Sequence, residues 1–451
     1  MRPSRTRGLG IRLFGAGVAA ALVLSLAGCG GNAFNSISKK LSNPFAKKEV
    51  PLPGERIAVI TDPTLVNVDP AEAAKPIQLP APQANASWSE PGGSPSNNLG
   101  HLVLGGELRK AWSADAGTGS SSSGRLSAVP LVADGKVFTL DAAGTVSAFS
   151  TANGGRVWSA SVTPPNEKGK EGFGGGLAID NGHLYAATGY GTVVSIDAGN
   201  GAILWTKRIG EPIRSAPTAA NGKIYFVSSE NTLYALNDAD GEQLWTSRGL
   251  PQAATLLSNV SPAVSGGTVV APFPAGDIIA FEANSGKATW RDSLARSSET
   301  TASAILGDPA RPVIDRGVVY AISHGGKMFA TSEASGERLW TRNLAGTQMP
   351  WIAGDTVFVV DLSGKLVALD RTEGKVRWVT DLPSSTRWSG PVLAGGKLWL
   401  VSGDGLLVGA DARTGQLSSQ LDLDTPVFVT PVVAGGRMYI LADNASLIAL
   451  N

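Results

Sequence analysis

Few side chains in this sequence are of the types that carry out catalysis or bind transition metals. Its 451 residues include one cysteine and three histidines, His101, His183 and His324, which are isolated from one another. Zinc sites and acid–base pairs need converging groups, and calcium needs several converging oxygen ligands. No cluster of Asp, Asn or Glu has such spacing, so we expect neither a metal site nor a catalytic centre.

The single cysteine lies at the end of a secretory signal pattern. Four arginines precede an apolar run at residues 13–26, which is too short for a comfortable membrane span. The sequence Leu26-Ala27-Gly28-Cys29 then resembles the bacterial lipobox, in which the signal is cleaved before the cysteine and lipid is attached to its thiol. The resemblance implies a signal peptide at residues 1–28 and a lipidated Cys29. The alternative is an ordinary signal peptide with a buried thiol.

The residues after the cysteine indicate a location and a tether. Gly30 follows the cysteine, and there is no Asp at this position. This resembles the pattern of Gram-negative lipoproteins that are sent on to the outer membrane rather than kept at the inner membrane. The resemblance implies a lipid anchor in the outer membrane, at its periplasmic face. Residues 29–105 are rich in Gly, Pro, Ser, Ala and Lys, which favours a mostly flexible tether because such a segment buries little apolar surface.

A repeat dominates the rest of the chain. Each copy closes with a glycine followed four residues later by a tryptophan, at Gly154/Trp158, Gly201/Trp205, Gly241/Trp245, Gly286/Trp290, Gly336/Trp340 and Gly374/Trp378. A seventh copy has Gly415 but Ser419 in place of the tryptophan, and successive copies lie 47, 40, 45, 50, 38 and 41 residues apart. Alternating apolar residues and intervening turn residues predict short strands within each copy. Such a period is typical of a β-propeller blade.

The two ends of the repeat region complement each other. Residues 426–451 match a repeat up to its last strand, and residues 108–112 form a lone strand that ends in a tryptophan. Pairing them would complete an eighth blade and remove exposed sheet edges. The sequence therefore predicts an all-β, eight-bladed β-propeller of four-stranded antiparallel blades at residues 106–451. Seven blades would result if the C-terminal fragment packs irregularly.

The tryptophans occupy one register position in the predicted blades. They are Trp112, Trp158, Trp205, Trp245, Trp290, Trp340 and Trp378. Because they are spread around the ring, we expect them to pack between blades rather than to form an aromatic cage for a ligand. The polar residues four positions before most closing glycines, such as Asp197 and Asp411, are expected to accept hydrogen bonds within turns.

The repeats resemble those of the pyrroloquinoline-quinone (PQQ) dehydrogenase propellers over residues 108–451, as in LYALN followed, after four intervening residues, by EQLW. The resemblance is informative about fold more than about chemistry. Those dehydrogenases carry adjacent cysteines and calcium ligands, whereas the only cysteine here is in the lipobox. We therefore expect no cofactor and no enzymatic activity. A quinoprotein dehydrogenase and a periplasmic ligand-binding propeller remain the alternatives, and a net charge of +1 gives no indication of nucleic acid.

The lipobox, the proline-rich tether, the tryptophan repeat and the stretch at residues 86–102 together resemble the BamB family. These are propeller lipoproteins of the outer-membrane β-barrel assembly machinery. The resemblance implies a non-enzymatic scaffold that binds the periplasmic POTRA domains of BamA. Other subunits of the assembly complex and unfolded outer-membrane proteins are further implied partners.

The same resemblance implies a contact surface on the loops that join blades three to four and four to five. Here these loops are residues 247–259 and 291–311. Leu250, Leu256 and Leu257 cluster on the first loop, and exposed clustered leucines indicate a contact site. The resemblance implies contacts for Leu256 and Asp308, but Leu257 replaces an arginine of the family. The alternative is that Leu256 and Leu257 begin the inner strand of blade four.

Overall fold

The computed structural model describes residues 66–451 except 123, 168–171, 173, 250–259, 275, 295–308 and 384–386. In this part of the chain, 32 strands form eight four-stranded antiparallel sheets, preceded by one short helix, α1 (Pro70–Ala73). The innermost strand of each sheet neighbours that of the next, and the last neighbours the first. The predicted eight-bladed propeller is therefore confirmed. No helix among the described residues has the length and apolar character needed to cross a membrane.

Blades are numbered in chain order, and each runs from its innermost to its outermost strand. Blade one consists of β2 (Leu131–Ala133), β3 (Lys136–Leu140), β4 (Thr145–Ser150) and β5 (Arg156–Ser161). Blade two consists of β6 (Gly175–Asp180), β7 (His183–Thr188), β8 (Thr192–Asp197) and β9 (Ile203–Arg208). Blade three consists of β10 (Thr218–Ala220), β11 (Lys223–Val227), β12 (Thr232–Asn237) and β13 (Gln243–Arg248). Blade four consists of β14 (Ala263–Ser265), β15 (Thr268–Pro272), β16 (Asp277–Glu282) and β17 (Ala288–Ser293).

The second half of the ring repeats this order. Blade five consists of β18 (Val313–Asp315), β19 (Val318–Ile322), β20 (Met328–Ser332) and β21 (Arg338–Arg342). Blade six consists of β22 (Trp351–Ala353), β23 (Thr356–Val360), β24 (Lys365–Asp370) and β25 (Val376–Asp381). Blade seven consists of β26 (Trp388–Ala394), β27 (Lys397–Ser402), β28 (Leu406–Asp411) and β29 (Leu417–Asp422). Blade eight consists of β30 (Val432–Ala434), β31 (Arg437–Leu441), β32 (Ser446–Leu450) and β1 (Lys110–Asp115).

The ring closes by joining the first strand of the propeller to the last. The antiparallel register of β1 and β32 pairs Lys110 with Leu450 and Asp115 with Ser446. One blade is thus made from both ends of the repeat region, as predicted from the incomplete last repeat. Because of this pairing, β32 has a hydrogen-bonded neighbour on both sides and no open edge.

The burial of each strand follows its depth in the blade. In blade three, residues of β12 are buried except for the last, whereas β13 alternates between exposed and half-buried positions. The inner strands are covered on both faces by neighbouring blades, which explains their continuous runs of Val, Ala, Leu and Ile. The outermost strands β9, β13 and β29 keep the alternation of a sheet with one solvated face, whereas β25 begins with two buried residues, Val376 and Arg377.

The turns that close the blades depend on side-chain acceptors, as expected from the sequence. Asp197 Oδ1 accepts hydrogen bonds from the backbone N–H groups of Gly199, at 2.7 Å, and Asn200, at 3.1 Å. Asp411 Oδ1 accepts from the corresponding groups of the seventh blade. The interpretation of these residues as turn formers is confirmed.

The structure differs from the predicted flexible tether over residues 66–105. This segment lies against the propeller, and Ile77, Trp88, Leu102 and Leu104 are buried in its core. The prediction from composition was wrong for a physical reason. The segment has too few apolar residues to form a core of its own, but its apolar residues pack into the core of the ring. The assignments of residues 1–28 and 29–65 lie outside the described residues and stay predictions.

Candidate functional site

The residue predicted to carry the lipid and those predicted to bind partners lie outside the described residues. These are Cys29 of the lipobox and Leu250, Leu256, Leu257 and Asp308 of the two loops. The described flanks show where the loops are attached. One loop joins β13 to β14 and the other joins β17 to β18, so each connects an outermost strand to the next innermost strand. The described ends of both loops therefore lie on the same face of the ring.

The blade tryptophans lie at the interfaces between successive blades. The ring of Trp158 in blade one contacts Gly201 in blade two so closely that a Cβ at Gly201 would lie 2.6 Å from it. The indole N–H of Trp158 donates to the carbonyl oxygen of Ala198 at 3.1 Å. The same glycine contact is made by all seven, in the pairs Trp112/Gly154, Trp158/Gly201, Trp205/Gly241, Trp245/Gly286, Trp290/Gly336, Trp340/Gly374 and Trp378/Gly415. Each tryptophan thus serves a different interface, and they do not converge on one site.

A cavity opens at the centre of the face that carries the loops. It measures about 400 Å³ and is lined by residues that precede innermost strands, among them Arg125, Arg311 and Arg387, and by His324 from the β19–β20 turn. A second cavity of about 460 Å³ adjoins it and shares His324, Arg387 and Phe428. We call the two together the axial funnel. Val260 and Pro309, at the described ends of the two loops, also line it.

The axial funnel is cationic in its lining. Burial lowers the pKa of the Arg311 guanidinium to about 10, because desolvation disfavours its charged form. Nδ1 of His324 is buried and has no hydrogen-bond partner among the described residues. Of the described residues, two carboxylates line the funnel, and both are engaged locally. Asp443 accepts from Ser120 Oγ at 2.5 Å, and Asp361 accepts from backbone N–H groups of its own turn.

The opposite end of the axis is covered by the chain itself. Residues 85–102, which we call the axial plug, run once around the axis and meet the eight blades in ring order. The hydrogen-bonded pairs, from blade eight through blade one to blade seven, are Asn85/Gly435, Trp88/Val132, Ser89/Ile179, Glu90/Ala219, Pro95/Val264, Ser96/Ile314, Gly100/Trp351 and Leu102/Leu393. Sequence reasoning missed this arrangement, because these partners are spread along the chain from Val132 to Gly435. One signal was present: Trp88 stands in a polar stretch, outside the register of the blade tryptophans.

The centre of the axial plug is packed like a protein core. Trp88 is fully buried and stacks on Trp351 of blade six, with ring centroids 6.1 Å apart. The buried amide of Asn97 donates to the carbonyl oxygen of Pro312 at 2.9 Å. Gly92 leaves no room for a side chain, since a Cβ there would lie 2.2 Å from the Asn97 side chain. These contacts close the axis at this end.

Glu90 is the only carboxyl group of the axial plug. Its Oε1 accepts a hydrogen bond from the backbone N–H of Ala219 at 3.0 Å. Burial raises the pKa of this carboxyl well above 4.5, and the charge of Asp180 adds to the effect. The group thus favours its neutral form within the folded protein.

The three histidines have separate surroundings. His101 ties the plug segment to blade seven, since its Nε2 accepts from the N–H of Gly396 at 2.8 Å and its Nδ1 lies 2.7 Å from the carbonyl oxygen of Pro80. His183 packs edge-on against Tyr185, and His324 lies in the axial funnel. Within the described ranges, no group of three His, Cys, Asp or Glu side chains is placed to hold a metal ion.

Comparison with known proteins identifies a similar family. The sequence profile described as "Outer membrane protein assembly factor BamB" matches residues 100–170, 142–380 and 364–451. The protein of that name from Salmonella typhimurium is 28% identical over 326 residues, which cover 71% of this chain and 83% of the relative.

Solved structures show the same fold. The crystal structure of BamB from Moraxella catarrhalis superposes with a TM-score of 0.67 at 17% identity, covering 76% of this chain and 100% of that one. Quinohemoprotein alcohol dehydrogenase from Comamonas testosteroni superposes with a TM-score of 0.65 at 13% identity, covering 81% of this chain and 80% of that one. At such identities the likeness concerns the fold alone.

Proposed function

Because the chain belongs to the BamB family of outer membrane protein assembly factors, we propose that it is a non-enzymatic scaffold lipoprotein of the outer-membrane protein assembly complex. The observation that carries the proposal is the match of the family profile across residues 100–451, which spans all eight blades. In this role it binds the POTRA domains of BamA and assists folding and insertion of β-barrel outer-membrane proteins. Other subunits and unfolded client proteins are further partners.

The arrangement of the propeller supports scaffolding rather than redox chemistry. The sequence contains one cysteine, at position 29, and therefore lacks the adjacent pair that the dehydrogenase resemblance would require. One end of the axis is occupied by the axial plug. No observation in the described residues favours the dehydrogenase over the scaffold, and the likeness to the alcohol dehydrogenase is one of fold.

The contact with BamA is tested by introducing a charge on one loop and reversing a charge on the other. We expect Leu256→Glu together with Asp308→Arg to lower BamA capture about tenfold or more, because each change places an unfavourable charge at the proposed interface. Pull-down of purified BamA POTRA domains measures the capture, and thermal melting verifies that the propeller stays folded.

A matched control makes the same two kinds of substitution at positions outside the two loops. Leu204, 47% exposed on β9, and Asp404, exposed in the β27–β28 turn, are changed to Glu and Arg in the same way. The control variant should capture BamA like the wild type. Undiminished capture by the loop variant would remove these loops from the interface.

The lipid anchor is tested at Cys29. We expect Cys29→Ala to release the mature protein from the membrane fraction, because an acyl chain contributes about 0.8 kcal/mol for each buried CH₂ group and the variant carries none. Fractionation of the periplasm and the membranes, with the wild type alongside, measures the distribution. Retention of the variant in the outer membrane would show that the protein is held there by other contacts.

A further inference from the structure

The axial funnel and the axial plug lie at opposite ends of the same innermost strands. In blade seven, Arg387 directly precedes β26, and Leu393, near the end of that strand, bonds to Leu102 of the plug. A strand rise of about 3.3 Å per residue separates these two positions by about 20 Å. Because the plug meets every blade at its end of the axis, the funnel has one entrance. A chain cannot thread the ring, so an occupant enters and leaves by the same opening.

The lining of the axial funnel selects for negative charge. Arg125, Arg311 and Arg387 come from blades one, five and seven, and therefore surround the space from three directions. Guanidinium groups bind oxyanions through paired, charge-assisted hydrogen bonds. His324 adds a ring nitrogen, Nδ1, that is buried and unpartnered among the described residues.

The remaining lining suits the backbone and apolar side chains of a peptide. Thr347 and Gln348 offer donors and acceptors, and Met349 and Phe428 offer apolar surface. Phe428 is 37% exposed at this opening, an unusual exposure for an aromatic ring. The two cavities, about 400 and about 460 Å³, are large enough for two or three residues of an extended chain.

We infer that the axial funnel binds the C-terminal carboxylate of a polypeptide together with the apolar residues that precede it. A blind funnel receives a chain end rather than the middle of a chain, and the arginines receive the carboxylate. The inference rests on the proposed function for its source of ligand, because an assembly factor meets chains that are not yet folded.

The test uses the full-length protein in detergent and a pair of fluorescent peptides. Both have the same sequence of Gly and Ser ending in Val-Leu, one with a free C-terminal carboxylate and one with an amide. Fluorescence anisotropy should show at least about tenfold tighter binding of the carboxylate peptide, as expected for the loss of a charge-assisted hydrogen-bond pair. Equal binding of the two peptides would overturn the inference.

Variants assign the binding to the funnel. Arg125 and Arg387 are both exposed at the opening, so the double variant Arg125→Gln/Arg387→Gln should stay folded, and we expect at least about tenfold weaker binding of the carboxylate peptide. Arg413→Gln is the matched control, because Arg413 is exposed in the β28–β29 turn on the plug face. Undiminished binding by the double variant, or equal loss in the control, would overturn the assignment.

Two further measurements separate the alternatives. Inorganic phosphate is titrated against the bound peptide, and displacement at concentrations below that of the peptide would overturn the peptide source in favour of a free anion. Capture of BamA by the double variant is measured in parallel. Peptide binding lost while BamA capture is kept supports a separate funnel site, whereas loss of both would overturn it in favour of one shared surface.

Discussion

Glu90 is the residue at which burial and charge conflict most directly. It is fully buried in the axial plug and accepts one hydrogen bond, from Ala219, while its Oε2 has no partner among the described residues. Desolvation raises the pKa of this carboxyl well above 4.5. Ionisation of Glu90 therefore works against the closure of the axis.

This conflict predicts a pH dependence of stability. Because the pKa is higher in the folded protein, the folded state binds more protons than the unfolded chain between the two pKa values, and the free energy of unfolding falls as pH rises through that interval. Glu90→Gln keeps an acceptor for Ala219 and removes the titration. We expect the variant to melt at a higher temperature than the wild type at about pH 8 and at the same temperature at about pH 4.

The control for this prediction is Glu242→Gln, an exposed carboxyl in blade three. Its melting curve should follow that of the wild type at every pH. A constant difference between Glu90→Gln and the wild type from pH 4 to pH 9 would contradict the role of ionisation.

Among the elements, the interface between two blades is the repeated unit of stability. The tryptophan of one blade covers the closing glycine of the next, and the glycine has the left-handed backbone conformation that its turn requires, with φ of 81° at Gly201. The blade therefore needs glycine for two reasons, one conformational and one steric. The sequence pattern of glycine and tryptophan records both.

Two glycines of blade two distinguish the conformational requirement for glycine from the steric one. Gly182 has φ of 77° and no atom within 4 Å of an added Cβ, whereas a Cβ at Gly201 would lie 2.6 Å from Trp158. We expect Gly182→Ala to cost about 1 to 2 kcal/mol from backbone strain alone. Gly201→Ala should cost about 1 to 3 kcal/mol more, because the indole must also move.

Urea unfolding of both variants measures the two free energies. The fluorescence of the blade tryptophans should shift with Gly201→Ala and stay unchanged with Gly182→Ala. Equal destabilisation would mean that the indole moves aside without cost, and the glycine would then be required by its turn alone.

For the whole molecule, closure depends on two long-range arrangements. The pairing of β1 with β32 joins the ends of the repeat region, and the axial plug adds bonds to all eight blades. Both arrangements link residues that are far apart in the chain. They convert eight similar sheets into one ring.

Removal of residues 445–451 tests the importance of ring closure. The truncation deletes β32, which lies between β31 and β1, and leaves both of these strands with open edges. We expect loss of the monomeric species and formation of aggregates, because exposed strand edges pair with other chains. Size-exclusion chromatography with light scattering measures this, with Arg109→Ala as a control that keeps the backbone pairing of Arg109 and Asn451. A monomeric, folded truncation would contradict it.

The blades and their closure could be predicted because their signals repeat. Glycine, turn acceptor and tryptophan recur in each copy, and the incomplete last repeat matched the lone strand that ends in Trp112. The axial funnel gave no such signal. Arg125, Arg311 and Arg387 stand at unequal distances before β2, β18 and β26, so no period relates them.

The axial plug escaped prediction for a physical reason. Its polar, glycine-rich composition is what a chain needs to bend around an axis and bond to eight strands in turn, and the same composition is typical of a linker. Its partners are provided by the ring, so the segment alone contains little of the information. Trp88, which has no place in the blade register, was the one residue that could have drawn attention to it.

The mixed origin of blade eight has a consequence for biosynthesis. Lys110 pairs with Leu450, so β1, the first strand of the propeller to be synthesised, has no partner until β32, the last strand of the propeller, follows. Blades one to seven can form as they emerge, but the ring stays open until β32 has been synthesised. Until then, β1 has an unpaired edge that can associate with other chains. A chaperone that covers this strand during synthesis would therefore lower the risk of aggregation.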